Sequence, residues 1–191
     1  CFFYGCSQLA EINVDDANTA YSSIDGVLFN KDKTELIRYP QNKSGAYTIP
    51  NTVTTIGQKA FNYCDGLTSV TISNSVRRIN YCAFGDCSYL TSVTIPEGVT
   101  TLESLVFNYC TSLASITIPE SITNIPYATF EYCGNLTTVS LPSTLVNVES
   151  SAFDNCSKLH YTEYDSACYL GNAQNPYVAL IRAKSTSITS C

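Results

Sequence analysis

LTSVTIPEGVTTLESLVFNYC runs from Leu90 to Cys110, and LASITIPESITNIPYATFEYC runs from Leu113 to Cys133. The two stretches share an apolar skeleton and differ at most polar positions. Set in rows of 23 residues, the chain restarts this skeleton at Ser44, Leu67, Leu90, Leu113, Leu136 and, in part, Leu159. One column reads Cys64, Cys87, Cys110, Cys133, Cys156, and another Phe61, Phe84, Phe107, Phe130, Phe153. Further columns hold Ile49, Ile72, Ile95, Ile118, Leu141, then Val53, Val76, Val99, Ile122, Leu145, then Ile56, Ile79, Leu102, Ile125, Val148. A fixed period of this length marks a solenoid. One unit cannot bury its apolar face alone, and stacking buries it against the next coil.

Within a row, Leu67–Ile72 points Val70 and Ile72 inward and Ser69 and Thr71 outward. That alternation, rich in β-branched residues, predicts a strand. Pro50, Pro96, Pro119 and Pro142 follow the strand and stop it, because proline has no N–H for the ladder. The return stretch, such as EGVTTLESLVF, spaces its apolar residues by three to four. It predicts a short extended run and then a helical turn. Neighbouring strands should form a parallel sheet with rungs about 4.8 Å apart.

The pattern of a strand ending in Ile-Pro, then V-x-x-I, then A-F-x-x-C-x-x-L resembles the BspA-like subfamily of leucine-rich repeats. Ala60-Phe61-Asn62-Tyr63-Cys64-Asp65-Gly66-Leu67 and Ala152-Phe153-Asp154-Asn155-Cys156-Ser157-Lys158-Leu159 carry it best. The match covers about 44–164, and Phe3, Cys6, Leu9, Ile12 and Val14 restart it at the N-terminus. Ser73 departs from the proline column, and Val106 and Thr129 depart from the alanine column. The resemblance implies a right-handed, mainly β leucine-rich-repeat solenoid, a parallel sheet of stacked coils with short helical turns. It also implies an adhesin-like role on a secreted or surface-attached microbial protein, in contact with host matrix proteins, host cells or other microbes. Members of the subfamily occur in bacteria of anaerobic niches and in parasitic protists, a setting in which many cysteines need not be oxidised.

Two segments break the period. Val14 and Ile49 would be equivalent yet lie 35 residues apart. Between them, Val27–Phe29 and Glu35–Tyr39 flank the polar turn Asn30–Thr34, which predicts a β-hairpin. ACYLGNAQNPYVALIRAK, near the C-terminus, predicts a second hairpin, and STSITSC reads as the start of another strand. The expected organisation is a partial repeat (1–14), a hairpin insert (15–47), five regular repeats (44–158) and an irregular repeat with a second hairpin (159–191). The chain begins and ends on Cys and contains no Met, so it reads as a piece of a longer protein.

Composition narrows the function. Of 191 residues, 45% are hydrophobic and only 14% charged, too apolar for a disordered chain and enough for a sizeable core. No apolar run approaches the roughly 18 residues that span a bilayer, so no membrane insertion by this segment is expected. The net charge is −6, and the ten Lys and Arg are scattered, which argues against nucleic acid or anionic membranes as partners.

No catalytic, cofactor or metal site is expected. The cysteine column repeats every 23 residues along one ladder, unlike the converging C-x₂₋₄-C pairs of zinc sites. Parallel Cβ vectors disfavour disulfides between rungs, so buried free thiols are expected. Cys1, Cys82, Cys168 and Cys191 lie outside the column, and one pair among them could bridge. The lone His160 reads as a surface residue, and Asp15–Asp16 and Glu163/Asp165 as turn formers at insert boundaries. Three sequons, at Asn42, Asn135 and Asn155, say little, since the last two straddle core columns.

The outward strand positions are more informative. Thr48, Thr71, Thr94, Thr117 and Ser140 form one hydroxyl column, and Ser69, Ser92, Ser115 and Thr138 its neighbour. They form either a partner-binding sheet face or ordinary exposed strand positions. Tyr63, Tyr109 and Tyr132 form a partial aromatic column, suited to contact or to packing. The expected function is a non-catalytic binding module for a protein or glycan ligand; the alternatives are a structural spacer and an accessory module beside an enzyme. Organism, ligand and oligomeric state are not written in the sequence.

Overall fold

The structure, a computed structural model, describes residues 3, 5–164, 167–171, 175 and 178–183. Three strands open the fold: β1 (Tyr21–Ile24), β2 (Val27–Asn30) and β3 (Glu35–Arg38). Two strand sets then alternate along the chain. The front set is β4 (Gly45–Thr48), β6 (Leu67–Thr71), β8 (Ser92–Thr94), β10 (Ser115–Thr117) and β12 (Thr138–Ser140). The back set is β5 (Thr55–Ile56), β7 (Arg78–Ile79), β9 (Thr101–Leu102), β11 (Asn124–Ile125) and β13 (Asn147–Val148). β14 (Thr162–Tyr164), β15 (Ala167–Leu170) and β16 (Ala179–Ala183) close the described chain as an antiparallel meander.

Both sets pair in parallel and in the register that the repeat demands. Val70 lies opposite Val93, Ile116 opposite Val139, and Ile56 opposite Ile79. Strand pairing breaks between β8 and β10 and between β9 and β11, where the coils are joined instead by turn hydrogen bonds such as Phe107 N–H to Thr129 O and by the stacking of Phe107 on Phe130. The chain forms a mainly β solenoid, and the five columns line its axis.

The expected helical turn is not formed: no helix occurs among the described residues. The backbone of the turn region explains why. The N–H groups of Ala60, Asn62 and Cys64 donate within their own coil, to the carbonyls of Gly57, Lys59 and Phe61. The N–H groups between them, on Lys59, Phe61 and Tyr63, donate to Tyr81, Ala83 and Gly85 of the next coil. A helix would turn every N–H along one axis within one segment. Here alternate groups point out of the coil, and the chain achieves this with left-handed residues. Lys59 and Tyr63, and their equivalents down to Ser151 and Asn155, have φ between 52° and 61°. A left-handed third residue is what several tight turns require. The three-to-four spacing of apolar residues thus comes from a chain of turns.

The N-terminal hairpin forms as expected between β2 and β3, with Asn30 Oδ1 accepting from the N–H groups of Thr34 (2.8 Å) and Glu35 (2.9 Å) across the turn. The insert is not set apart from the stack, however. β3 also pairs in parallel with β5, Leu36 opposite Ile56, so the last strand of the hairpin is the first rung of the back sheet. β1, which the sequence did not announce, adds a further antiparallel strand outside β2. At the C-terminal end β15 and β16 form the second hairpin; STSITSC lies outside the described residues.

The first coil has no regular coil before it to bond its outward carbonyls. Arg38 supplies the missing donors. Its guanidinium donates to Lys59 O at 2.6 Å and Asn62 O at 3.1 Å, and the Gln41 amide also reaches Asn62 O at 3.4 Å. Arg38 is buried, and desolvation lowers its pKa. The departures from the repeat are likewise satisfied. The buried Thr129 hydroxyl donates to Pro126 O at 2.7 Å, and Ser73 Oγ, in the proline column, bonds Asn51 Oδ1 at 2.8 Å.

The phenylalanine column is buried and stacked along the core. Ring centroids lie 4.8 Å apart for Phe61–Phe84, 5.4 Å for Phe84–Phe107, 5.6 Å for Phe107–Phe130 and 5.4 Å for Phe130–Phe153, with the planes within 12° of parallel. Such pairs add about 0.5–1.5 kcal/mol each beyond their buried area. Phe107, stacked on both faces, is expected to cost about 3–5 kcal/mol on truncation to alanine. Phe153, stacked in the column on Phe130 alone, should cost less; urea unfolding of Phe107→Ala and Phe153→Ala checks the order.

Candidate functional site

Three side-chain columns reach the chemistry of interest: the thiols inside, the hydroxyls on the front sheet and the tyrosines on the turns. The thiols are accounted for by the fold. Cys87 Sγ donates to Phe61 O at 3.1 Å, Cys110 to Phe84 O at 3.1 Å, Cys133 to Phe107 O at 3.1 Å and Cys156 to Phe130 O at 3.0 Å. Cys64 makes a longer contact, 3.6 Å, to Tyr39 O. Each phenylalanine carbonyl also accepts the N–H of the cysteine three residues on, so the thiol fills its second lone pair from the next coil. Cysteine is small enough for the corner and still carries a donor.

Burial pushes these thiols up, Cys64 to about 12 and Cys156 to about 11, with Cys87 and Cys110 well above their ordinary value of 9.0. A neutral, buried thiol is neither a nucleophile nor a metal ligand. Cys82 and Cys168 carry free thiols; Cys1 and Cys191 lie outside the described residues. Among the described residues no three His, Cys, Asp or Glu side chains cluster as metal ligands would. His160 is exposed and lines a shallow cleft of about 150 Å³ with Thr138, Thr162 and Tyr169. Asp15 caps its own turn, accepting from Ala17 N at 2.8 Å. Glu163 is exposed, and Asp165 lies outside the described residues.

The hydroxyl columns stand side by side on the front sheet. Ser69 pairs with Ser92 and Thr71 with Thr94; Ser115 pairs with Thr138 and Thr117 with Ser140. Thr48 continues the second column opposite Thr71, and Ala46 takes the place of a hydroxyl opposite Ser69. β8 and β10 lie next to each other and join the two halves of the face. Thr48, Thr71, Ser92, Thr94, Ser115, Thr117 and Thr138 are exposed; Ser69 and Ser140 are half-buried. An adjacent column behaves differently. Thr91 Oγ1 donates to Thr68 O and Thr137 Oγ1 to Ala114 O, both at 3.0 Å, so these hydroxyls serve the backbone.

The tyrosines are on the turns. Tyr63, Tyr109 and Tyr132 are 41%, 41% and 39% exposed, so they are not core packing. Tyr109 and Tyr132 stack at 4.4 Å and 13°, whereas Asp86 separates Tyr63 from them in the column. The Tyr109 phenol is held above its ordinary value, by desolvation first and then by Tyr132, Glu131 and Asp86. Beside Tyr63 a cleft of about 660 Å³ opens, with Gln41, Asn42, Ser44 and Asp65 in its walls.

The family model described as BspA type leucine-rich repeat region matches six copies over residues 41–160. The chain belongs to the BspA-type leucine-rich repeat family. Solved structures of bacterial proteins are similar to this BspA-type chain. A leucine-rich cell surface protein of Faecalibacterium prausnitzii is 35% identical, with a TM-score of 0.73, over 83% of this chain and 42% of that one. A leucine-rich repeat protein of Eubacterium ventriosum is 29% identical, with a TM-score of 0.75, over 86% and 51%. The pneumococcal vaccine antigen PcpA is 26% identical, with a TM-score of 0.68, over 74% and 37%. The chain thus spans from about a third to about half of the length of these neighbours. No curated protein matches it.

Two outcomes follow from the thiol column. Alkylation of the native protein with iodoacetamide, mapped by mass spectrometry, should modify the exposed Cys6 and spare Cys64, Cys87, Cys110, Cys133 and Cys156 until the chain is unfolded. Stability should also fall on the alkaline side. A folded thiol pKa above the unfolded value contributes stability that is complete below that value and is lost as the pH rises beyond it. Urea midpoints should therefore hold up to about pH 9, the ordinary thiol value, and decline above it. Cys110→Ala should shallow that decline.

Proposed function

We propose that this chain is a non-catalytic binding module of a secreted or surface-displayed microbial protein, adhesin-like, which contacts a protein or glycan ligand such as host extracellular matrix. The observation that carries this reading is the front face. Thr71, Thr94 and Thr117 hold exposed hydroxyls at the repeat of the ladder, and none of the three makes a side-chain hydrogen bond among the described residues. Hydroxyls at fixed spacing suit ligands that offer both donors and acceptors, and solenoids offer extended faces to partners. The surface placement draws on the family and on the neighbours named as a cell surface protein and a vaccine antigen.

A second reading has its own support. The front face bears small hydroxyls, and the exposed rings of Tyr109 and Tyr132 stand on the turns instead. A smooth polar face is also what a structural spacer would carry between a cell surface and another domain.

A screen of the chain against arrayed glycans and matrix proteins such as fibronectin separates the two. The binding reading expects saturable binding that Thr71→Glu, Thr94→Glu and Thr117→Glu together abolish, since these changes alter the face and leave the core intact. Binding that survives the triple change removes the front face from the proposal. No binding to any arrayed ligand favours the spacer.

A further inference from the structure

The turn edge offers a surface of different chemistry from the front face. The left-handed position two residues after each phenylalanine holds Tyr63, Asp86, Tyr109, Tyr132 and Asn155. Asp and Asn tolerate φ above zero, because a short polar side chain can bond locally; a bulky ring is strained there. Two coils use the tolerant residues, so the turn does not require tyrosine. Three coils hold tyrosine instead, with the rings well exposed. Backbone strain kept for an exposed side chain is a pointer to use.

The surroundings give the sign of the partner. Asp86 lies between Tyr63 and Tyr109 in the column, and Glu131 precedes Tyr132. Asn108 Nδ2 donates to Glu131 Oε2 at 3.0 Å, which holds that carboxylate against the neighbouring coil. The whole chain carries a net charge of −6. The same row of turns already seats a cation on a ring, with Lys59 Nζ 6.0 Å from the centroid of Tyr81. A stacked, electron-rich pair between carboxylates attracts a planar cation most, because a guanidinium can lie on the ring and bond an acid with its edge.

We propose that the ridge formed by Tyr109 and Tyr132, flanked by Asp86 and Glu131, docks an arginine-rich segment of a partner protein. The proposal rests on the binding-module reading and assigns it a second face. A like-charged membrane is repelled from this edge, and a neutral glycan can hydrogen-bond to the carboxylates but draws nothing from their net charge.

The test uses the whole chain and three fluorescein-labelled peptides with four arginines, four lysines or four glutamates spaced by glycine and serine. Anisotropy titrations at physiological salt should rank arginine above lysine, with no binding of the glutamate peptide. Tyr109→Ser with Tyr132→Ser leaves the charge unchanged and should weaken the arginine peptide about five- to tenfold. Tyr109→Phe with Tyr132→Phe keeps the rings and should stay within about twofold of the wild type. Urea midpoints close to wild type show that both variants are folded. Equal binding by the serine variant, equal affinity for lysine and arginine, or no arginine binding overturns the proposal. Ring-dependent arginine binding with an empty glycan and matrix screen keeps the ridge and discards the front face; the reverse pattern discards the ridge alone.

Discussion

A single coil of this chain cannot satisfy its own backbone. Along each turn region alternate N–H groups find carbonyls within the coil, and those between them find carbonyls only in the next one. Buried backbone groups without partners are costly, so no coil is stable without neighbours and the stack forms cooperatively. The inward columns follow from the same constraint. Once the backbone fixes the register, every residue falls on its equivalent in the next coil, and Phe stacks on Phe because nothing else can reach it. The ends follow too, since a coil with one neighbour needs substitute donors and acceptors. Arg38 provides donors at one end, and at the other Gly171 O, beside the closing meander, accepts from the Leu141 N–H.

The core was legible in the sequence because it obeys a single period. Columns such as Phe61 to Phe153 are visible in one chain, and their register turned out to be the ladder register. The turns were not legible, because one left-handed column holds Lys59, Cys82, Leu105, Ala128 and Ser151, none of which announces φ above zero, and in the other only Asp86 and Asn155 favour it. Glycine there would have given the signal. Apolar residues three to four apart therefore read as helix. The first rung was missed for a different reason: Leu36 and Ile56 lie 20 residues apart, outside the period, and only pairing shows that they are equivalent. Arg38 looks in the sequence like any scattered surface cation.

For the candidate faces, the sequence located the residues and left their surroundings open. Seven of the nine outward strand positions are exposed, and Ser69 and Ser140 are half-buried. The tyrosine column needed coordinates, because an aromatic residue next to a core cysteine can turn either way. The structure settles it: Tyr63, Tyr109 and Tyr132 are exposed on the turns. The solenoid thus carries hydroxyls on one side and rings with acids on another. Either side can vary without disturbing the interior.

The buried thiol column also bears on where the chain is vulnerable. In the finished fold each sulfur of the column is buried against a carbonyl of the preceding coil. Before the coils close, the same cysteines are equivalent, evenly spaced and reactive, and any two could be cross-linked in a wrong register. An oxidising compartment would then select for coils that dock faster than thiols react. Oxidation would act as a trap for the unfinished chain, while the buried column of the completed solenoid, unlike the exposed Cys6, stays reduced in surroundings where most free cysteines do not last.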